Sequence, residues 1–120
     1  MKTILIIFLF TAFSTSAYAQ IPKSGTYDYS ISFAESPNSK SIKADCKVVI
    51  DGNKIKVIYQ AGKLSNLKKG DVIDEGIIIK HKSGSWIIGR KENDKELDEV
   101  GGCTDGPREI DFEKKIFWMC

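Results

Sequence analysis

CKVVIDGNKIKVIY, residues 46–59, is the stretch that decides the fold. Apolar and polar side chains alternate on both sides of a central turn, which is the pattern of a half-buried β-hairpin. One closure of the turn would place Lys47 opposite Lys56, and these like charges would repel. The other closes one residue later and pairs Asp51 with Lys54. We expect this second register, because opposite charges across a strand pair are stabilising.

The same two-residue period extends through most of the chain. Residues 27–33 alternate large apolar with small polar side chains and predict a half-buried strand. Residues 76–89 predict a second hairpin that closes on a two-residue Ser-Gly loop, which would set His81 opposite Trp86. Residues 109–119 predict a third hairpin, so neighbouring strands are expected to run antiparallel.

Strands at this spacing, joined by tight turns, predict a mainly β fold. We expect a small antiparallel meander barrel or sandwich of about seven or eight short strands. The period changes near Asn93, which forms a capping-box pattern with Glu96, while Leu97 and Val100 have helical spacing. One short helix is therefore expected near residues 93–100.

The first 19 residues have the features of a secretory signal peptide. Lys2 precedes an apolar run from Ile4 to Phe13, and residues 17–19 read Ala-Tyr-Ala, a small-x-small cleavage site. The apolar run is about half the roughly twenty residues that a membrane-spanning helix needs. We therefore expect cleavage after Ala19, a single small β domain over residues 20–120 without stable membrane insertion, and a periplasmic or secreted location.

The three cysteines all follow the predicted cleavage site, in a compartment where disulfides form and persist. One pair and one leftover thiol are expected. Cys103 lies in a loop and Cys120 is the last residue, so a bridge between them would hold the end of the chain, and we favour this pair. Cys46 shares a strand face with Val48 and Ile50, which predicts a buried free thiol. The two other pairings stay open at this point.

Charge alone indicates no partner, because residues 20–120 carry 17 Lys and Arg against 16 Asp and Glu. The distribution is uneven: residues 36–70 have a net charge of +6, and the stretch from there to residue 113 has a net charge of −6. Lys47, Lys54 and Lys56 belong to the first hairpin and suit contact with an anionic glycan, a lipid headgroup or an acidic protein. Nucleic-acid binding is not expected, because it calls for more positive charge and interleaved exposed aromatic side chains.

The last predicted hairpin carries apolar side chains on both of its faces. If Ile110 and Phe117 face the core, then Ile116 and Trp118 point away from it. An apolar outer face is covered either by a second layer or by a partner. Trp118 is therefore predicted, together with the three lysines of the first hairpin, as a contact for a ligand or partner.

Catalytic constellations are not evident in the sequence. His81 is the only histidine, and its place between two lysines in a strand opposite an indole favours a structural role. Cys46, His81, Cys103 and Cys120 lack the paired spacing of a zinc site, and no glycine-rich phosphate loop is present. We expect no catalytic residue, no metal ion and no cofactor.

These patterns predict an exported, disulfide-stabilised β domain that acts as a non-catalytic binding module. Its expected partner is a protein, a small molecule or a glycan outside the cytoplasm. The alternative is a small periplasmic or secreted enzyme that uses His81 with nearby carboxylates or the free cysteine. The sequence leaves open whether the interior of the domain is hollow.

Overall fold

The computed structural model describes residues 20–34, 43–64 and 66–120, so the predicted signal peptide lies outside the described residues. Seven strands form one sheet in the described part of the chain, and the helical content there is a single 3-10 turn. The strands are β1 Gly25–Phe33, β2 Ala44–Asp51, β3 Lys54–Gly62, β4 Val72–Lys80, β5 Trp86–Gly89, β6 Glu109–Asp111 and β7 Ile116–Met119. The prediction of a mainly β fold is confirmed.

Each strand pairs with the next one along the chain in antiparallel fashion, as the sequence predicts. The last strand does something that the sequence pattern does not show: β7 pairs in parallel with β1. This pairing runs from Ser30 opposite Ile116 to Phe33 opposite Met119. Every strand therefore has a hydrogen-bonded neighbour on both sides, and the sequence of pairings closes on itself.

The core lies on the inner faces of these strands. Cys46, Val48 and Ile50 are all buried, which confirms the face assigned to them from the alternation of β2. The largest side chain that is fully buried is Phe117 of β7. The rest of the cluster comes from β1 to β6 and from the residue that follows β6. It comprises Tyr29, Ile31, Ala44, Ile55, Val57, Tyr59, Ile78, Ile88, Ile110 and Phe112. Side chains thus fill the centre of the described domain.

The hairpin of β2 and β3 has the register favoured by charge. Asp51 lies opposite Lys54 and Ile50 opposite Ile55, as predicted. Gly52 adopts a φ of 64° at the first position of the two-residue loop, a left-handed conformation that glycine reaches without a steric penalty. The predicted register is confirmed.

The hairpin of β4 and β5 differs from the prediction by one residue. Lys80, not His81, lies opposite Trp86. The His81 N–H donates to the Ser85 carbonyl at 2.8 Å, so the loop inside that contact has three residues, 82–84, in place of two. The Gly84 N–H donates to the His81 carbonyl at 2.9 Å, and Gly84 has a φ of 99°, as in a turn followed by a residue of positive φ. The predicted register of this hairpin is wrong.

The helix predicted near residues 93–100 is also wrong in extent, because the structure contains only a 3-10 turn over Glu92–Glu96. Lys91, not Asn93, is the N-cap residue, and the carboxylate of Asp94, at the third position of the turn, accepts the backbone N–H groups of Arg90 and Lys91. Leu97 ends the turn with an extended ψ of 143°. The turn packs over β4 and β5, where Ile79 and Ile87 are buried on the outer face.

The disulfide between Cys103 and Cys120 is present, with the two Cα atoms 4.9 Å apart, and Cys46 is the buried free thiol. Both parts of the cysteine prediction are therefore confirmed. A disulfide is consistent with an oxidising extracellular location. Among the described residues, no helix combines the length and the apolar character that crossing a membrane requires.

Candidate functional site

The three predicted lysines lie on the outer face of β2 and β3, and each has an acidic residue at the paired position of the neighbouring strand. Lys47 lies opposite Asp28, with which it forms an ion pair. The other pairs are Lys54 with Asp51 and Lys56 with Glu75. The sheet register therefore balances the charge of this lysine strip residue by residue, and weakens it as a surface for an anionic partner.

Trp118 lies apart from the lysine strip, in a groove of about 300 Å³ that we call the tryptophan groove. Trp118 and Trp86, the two tryptophans of the chain, both line it. The remaining lining side chains are mainly polar or charged and include Lys80, Ser85, Glu109, Asp111 and Glu113. Trp118 thus shares a groove with Trp86 and three acidic residues, and the strand register places Trp86 on the face of Phe117 and Trp118 on the opposite face.

The neighbours of Trp86 hold its indole in place. Lys80 Nζ lies 5.1 Å from the centroid of the ring, a cation–π distance, and the Phe112 ring is 5.8 Å away at an angle of 57°. The Asp111 carboxylate accepts the backbone N–H groups of Glu113 and Lys114, which fixes the turn at one side of the groove. The groove walls are therefore built from packed and hydrogen-bonded residues.

His81 is buried and both of its ring nitrogens are occupied. Nδ1 accepts the Ser83 N–H at 3.1 Å, and since a backbone N–H can only donate, the proton of the neutral ring is on Nε2. Nε2 donates to the Leu97 carbonyl at 2.6 Å. The imidazole therefore connects the β4–β5 turn to the segment that follows the 3-10 turn, which is a structural arrangement.

The free thiol is equally enclosed. Cys46 is fully buried on the inner face of β2, and burial, with smaller contributions from Asp45 and Asp28, raises the pKa of its thiol to about 12. A thiol in that state is a poor nucleophile, because the thiolate is the reactive form.

A second cavity, of about 690 Å³, contains a charged cluster that sequence analysis missed. The Asp74 side chain is 6% exposed and has two arginines beside it. Arg108 Nη1 lies 3.4 Å from Oδ2, and Arg90 Nη2 lies 3.7 Å from Oδ1. The alternation of β4 contained a signal for this burial, because Asp74 shares the parity of the core residue Ile78.

Burial raises the pKa of the Asp74 carboxyl from 3.8, although the two arginines and the Glu75 N–H act in the opposite direction. Desolvation thus outweighs the two cations in this cluster. Within the described ranges, no group of three or more His, Cys, Asp or Glu side chains is arranged to hold a metal ion.

Three comparisons with known proteins found no match: no family model, no curated protein and no solved structure resembles this chain. The tryptophan groove and the charged cavity are therefore the features from which a function can be proposed.

Proposed function

We propose that this protein is an exported, non-catalytic binding domain that holds an oligosaccharide in the tryptophan groove. The observation that carries the proposal is a groove that both tryptophans, Trp86 and Trp118, line together with acidic residues and a lysine. This refines the predicted partner, a protein, small molecule or glycan, to a glycan.

The chemistry of the groove suits a sugar. An indole offers a flat apolar face with a polar N–H at its edge, and the C–H face of a pyranose ring stacks on such a surface. The hydroxyl groups at the rim of the sugar need acceptors and donors, which Glu109, Glu113 and Lys80 supply around the groove. A volume of about 300 Å³ is at the lower end of ligand pockets and suits one or two sugar units.

The two residues that a small enzyme would use, His81 and Cys46, both make structural contacts inside the domain. His81 spans two segments through both ring nitrogens, and Cys46 lies in the core with a raised pKa. These contacts support a binding role over catalysis by either side chain.

Export after Ala19 and a barrel-like domain over residues 20–120 are parts of the same proposal. The Cys103–Cys120 disulfide supports export, because such bonds persist outside the reducing cytosol. The parallel β1–β7 pairing supports the barrel description.

Intrinsic fluorescence provides a direct test, because both tryptophans line the groove. The purified protein is titrated with cellohexaose and chitohexaose as neutral probes and with a heparin hexasaccharide as an anionic probe. We expect a saturable change with at least one neutral sugar. Trp118→Ala should weaken that binding by about tenfold or more, the effect of removing an anchoring aromatic side chain.

Two variants control this experiment. Trp118→Phe keeps an aromatic face and should retain most of the affinity, whereas Val72→Ala changes an exposed apolar residue outside the groove and should have no effect. An unchanged affinity in Trp118→Ala, or no binding of either neutral sugar at about 10 mM, would contradict the proposal. If heparin binding is lost in the triple variant Lys47→Gln, Lys54→Gln, Lys56→Gln but not in Trp118→Ala, the heparin contact belongs to the lysine strip and not to the tryptophan groove.

A further inference from the structure

The charged cavity opens at the end of the sheet where β4 and β6 begin and β5 and β7 end. Asp74 comes from the start of β4, and Arg108 precedes β6. One wall is the segment at residues 102–107, which the Cys103–Cys120 disulfide ties to the end of the chain. The cavity is therefore built from residues of β4, β5 and β7, from Arg108 just before β6, from the 3-10 turn and the segment after it, and from a crosslinked loop.

Two guanidinium groups form the positive part of this cavity. The contacts from Arg90 and Arg108 to Asp74 are 3.7 and 3.4 Å, longer than the roughly 2.8 Å of a charge-assisted hydrogen bond. Each guanidinium has five N–H donors, and the Arg90 and Arg108 side chains are 70% and 43% exposed. Arg90 Nη1 also donates to the Glu75 carbonyl. The remaining N–H donors of both arginines can therefore bind an anionic group without leaving Asp74.

Acidic side chains also belong to the lining. Glu99 and Asp105 are exposed and line the same cavity. Asp94 also lines it, but its carboxylate is occupied by the N–H groups of Arg90 and Lys91. Glu99 and Asp105 are thus the carboxylates that a cationic group on a ligand would meet.

Apolar side chains line the cavity as well. Ile88, Leu97 and Met119 all line the cavity, and Leu97 is among the exposed large hydrophobic residues of the domain. A volume of about 690 Å³ lies well within the range of small-molecule pockets. The lining therefore combines a site for an anion, a site for a cation and an apolar surface.

We propose that this cavity binds a short peptide or amino acid in its zwitterionic form. The ligand carboxylate pairs with the guanidinium groups of Arg90 and Arg108, a geometry in which arginine makes bidentate contacts. The ligand ammonium lies near Glu99 and Asp105, and an apolar ligand side chain packs against Leu97 and Met119. The site is separate from the tryptophan groove and does not depend on sugar binding.

Calorimetric titration with the dipeptide Leu-Leu tests the proposal. We expect saturable binding to the purified protein, and binding at least about tenfold weaker for acetyl-Leu-Leu and for Leu-Leu-amide, each of which lacks one terminal charge. Equal binding of all three compounds, or no binding of Leu-Leu at about 10 mM, would overturn it.

Variants locate the binding within the molecule. Arg108→Gln should weaken Leu-Leu binding by about tenfold or more, but it also leaves Asp74 buried with one cation fewer. The double variant Asp74→Asn, Arg108→Gln removes that buried charge and should show the same loss of binding. Lys54→Gln, which removes a cation outside the cavity, should bind Leu-Leu like the wild type. Unchanged binding by the double variant contradicts the assignment even where the single variant does not fold.

Discussion

Cys46 shows how burial decides the chemistry of a single side chain. Its thiol has a pKa of about 12 and is fully buried, so we expect no labelling of the folded protein by an aromatic disulfide reagent. After unfolding in guanidinium without reductant, one thiol per chain should react, because the other two cysteines are bridged. Fast labelling of the native protein would contradict the buried position, and three labelled thiols would contradict the bridge.

Asp74 predicts a pH dependence of stability whose sign follows from its raised pKa. The folded state holds the carboxyl proton more tightly than the unfolded chain does, so the carboxyl contributes stability below its unfolded pKa of about 3.8. That contribution is lost as the pH rises through the folded pKa. Urea unfolding should show the stability of the wild type falling relative to Asp74→Asn between acidic and neutral pH.

A matched variant separates this effect from general loss of charge. Asp98 is 95% exposed, so Asp98→Asn should leave the pH dependence of unfolding the same as in the wild type. A wild type that gains stability relative to Asp74→Asn over the same pH range would mean that the arginines outweigh desolvation.

Residue-level prediction worked where a pattern is local and failed where it is not. The face of Cys46 follows from alternation within one strand, and it is confirmed. The ion pairs of Asp74 join β4 to arginines 16 and 34 positions later in the sequence, and no short-range pattern contains them. Only the parity of Asp74 with Ile78 could have indicated that a carboxylate faces the core.

At the scale of elements, His81 joins the β4–β5 turn to the segment after the 3-10 turn. His81→Ala removes both ring contacts and leaves the Leu97 carbonyl and the Ser83 N–H without these partners. We expect unfolding in urea to show a loss of about 2–4 kcal/mol. Binding of sugars in the tryptophan groove should not change. If His81 were catalytic or bound a ligand, His81→Ala would abolish function without a comparable loss of stability.

Ser83→Ala is the control for this variant. It removes the hydroxyl contacts to Nδ1, at 2.8 Å, and to the Ser85 N–H, at 3.4 Å, and keeps the backbone N–H that the imidazole accepts. The expected loss is about 1 kcal/mol or less. Equal losses for the two variants would show that the ring contacts to Leu97 and to the Ser83 backbone contribute little.

The same histidine explains why one hairpin was predicted correctly and the other was not. The β2–β3 loop is set by charge pairing and by Gly52, both of which are visible in the sequence. In the β4–β5 loop, the His81 ring accepts a turn N–H, and the loop takes a third residue. The short helix stops at Leu97 for a related reason, because the Leu97 carbonyl binds His81 instead of continuing a helical ladder.

At the scale of the whole molecule, the disulfide ties the last residue to a loop 17 positions earlier. The chain-entropy model gives a bridge of this span about 3 kcal/mol of stabilisation. The double variant Cys103→Ser, Cys120→Ser should therefore unfold at lower urea concentration than the wild type. In the presence of a strong reductant the difference should nearly vanish, and a difference that persists would point to a cause other than the bridge.

The overall architecture was predictable to the extent that it depends on neighbouring strands. Strand positions and antiparallel order follow from local alternation and turns, whereas the β1–β7 pair joins the two ends of the sheet through four residues of β7. The tryptophan groove has the same origin: Trp86 and Trp118 are 32 residues apart in sequence and line one groove because only β6 lies between their strands. Sequence analysis could nominate Trp118 but not its neighbours.

The parallel contact between the first and last strands has a practical consequence for how copies of this chain meet. A sheet with a free border can recruit a strand from another molecule, which is a common route to fibrils and exchanged dimers. Here β7 occupies the border of β1 from Ser30 to Phe33, so this part of the sheet offers no template. Strand addition at these four residues would first require β7 to detach from β1.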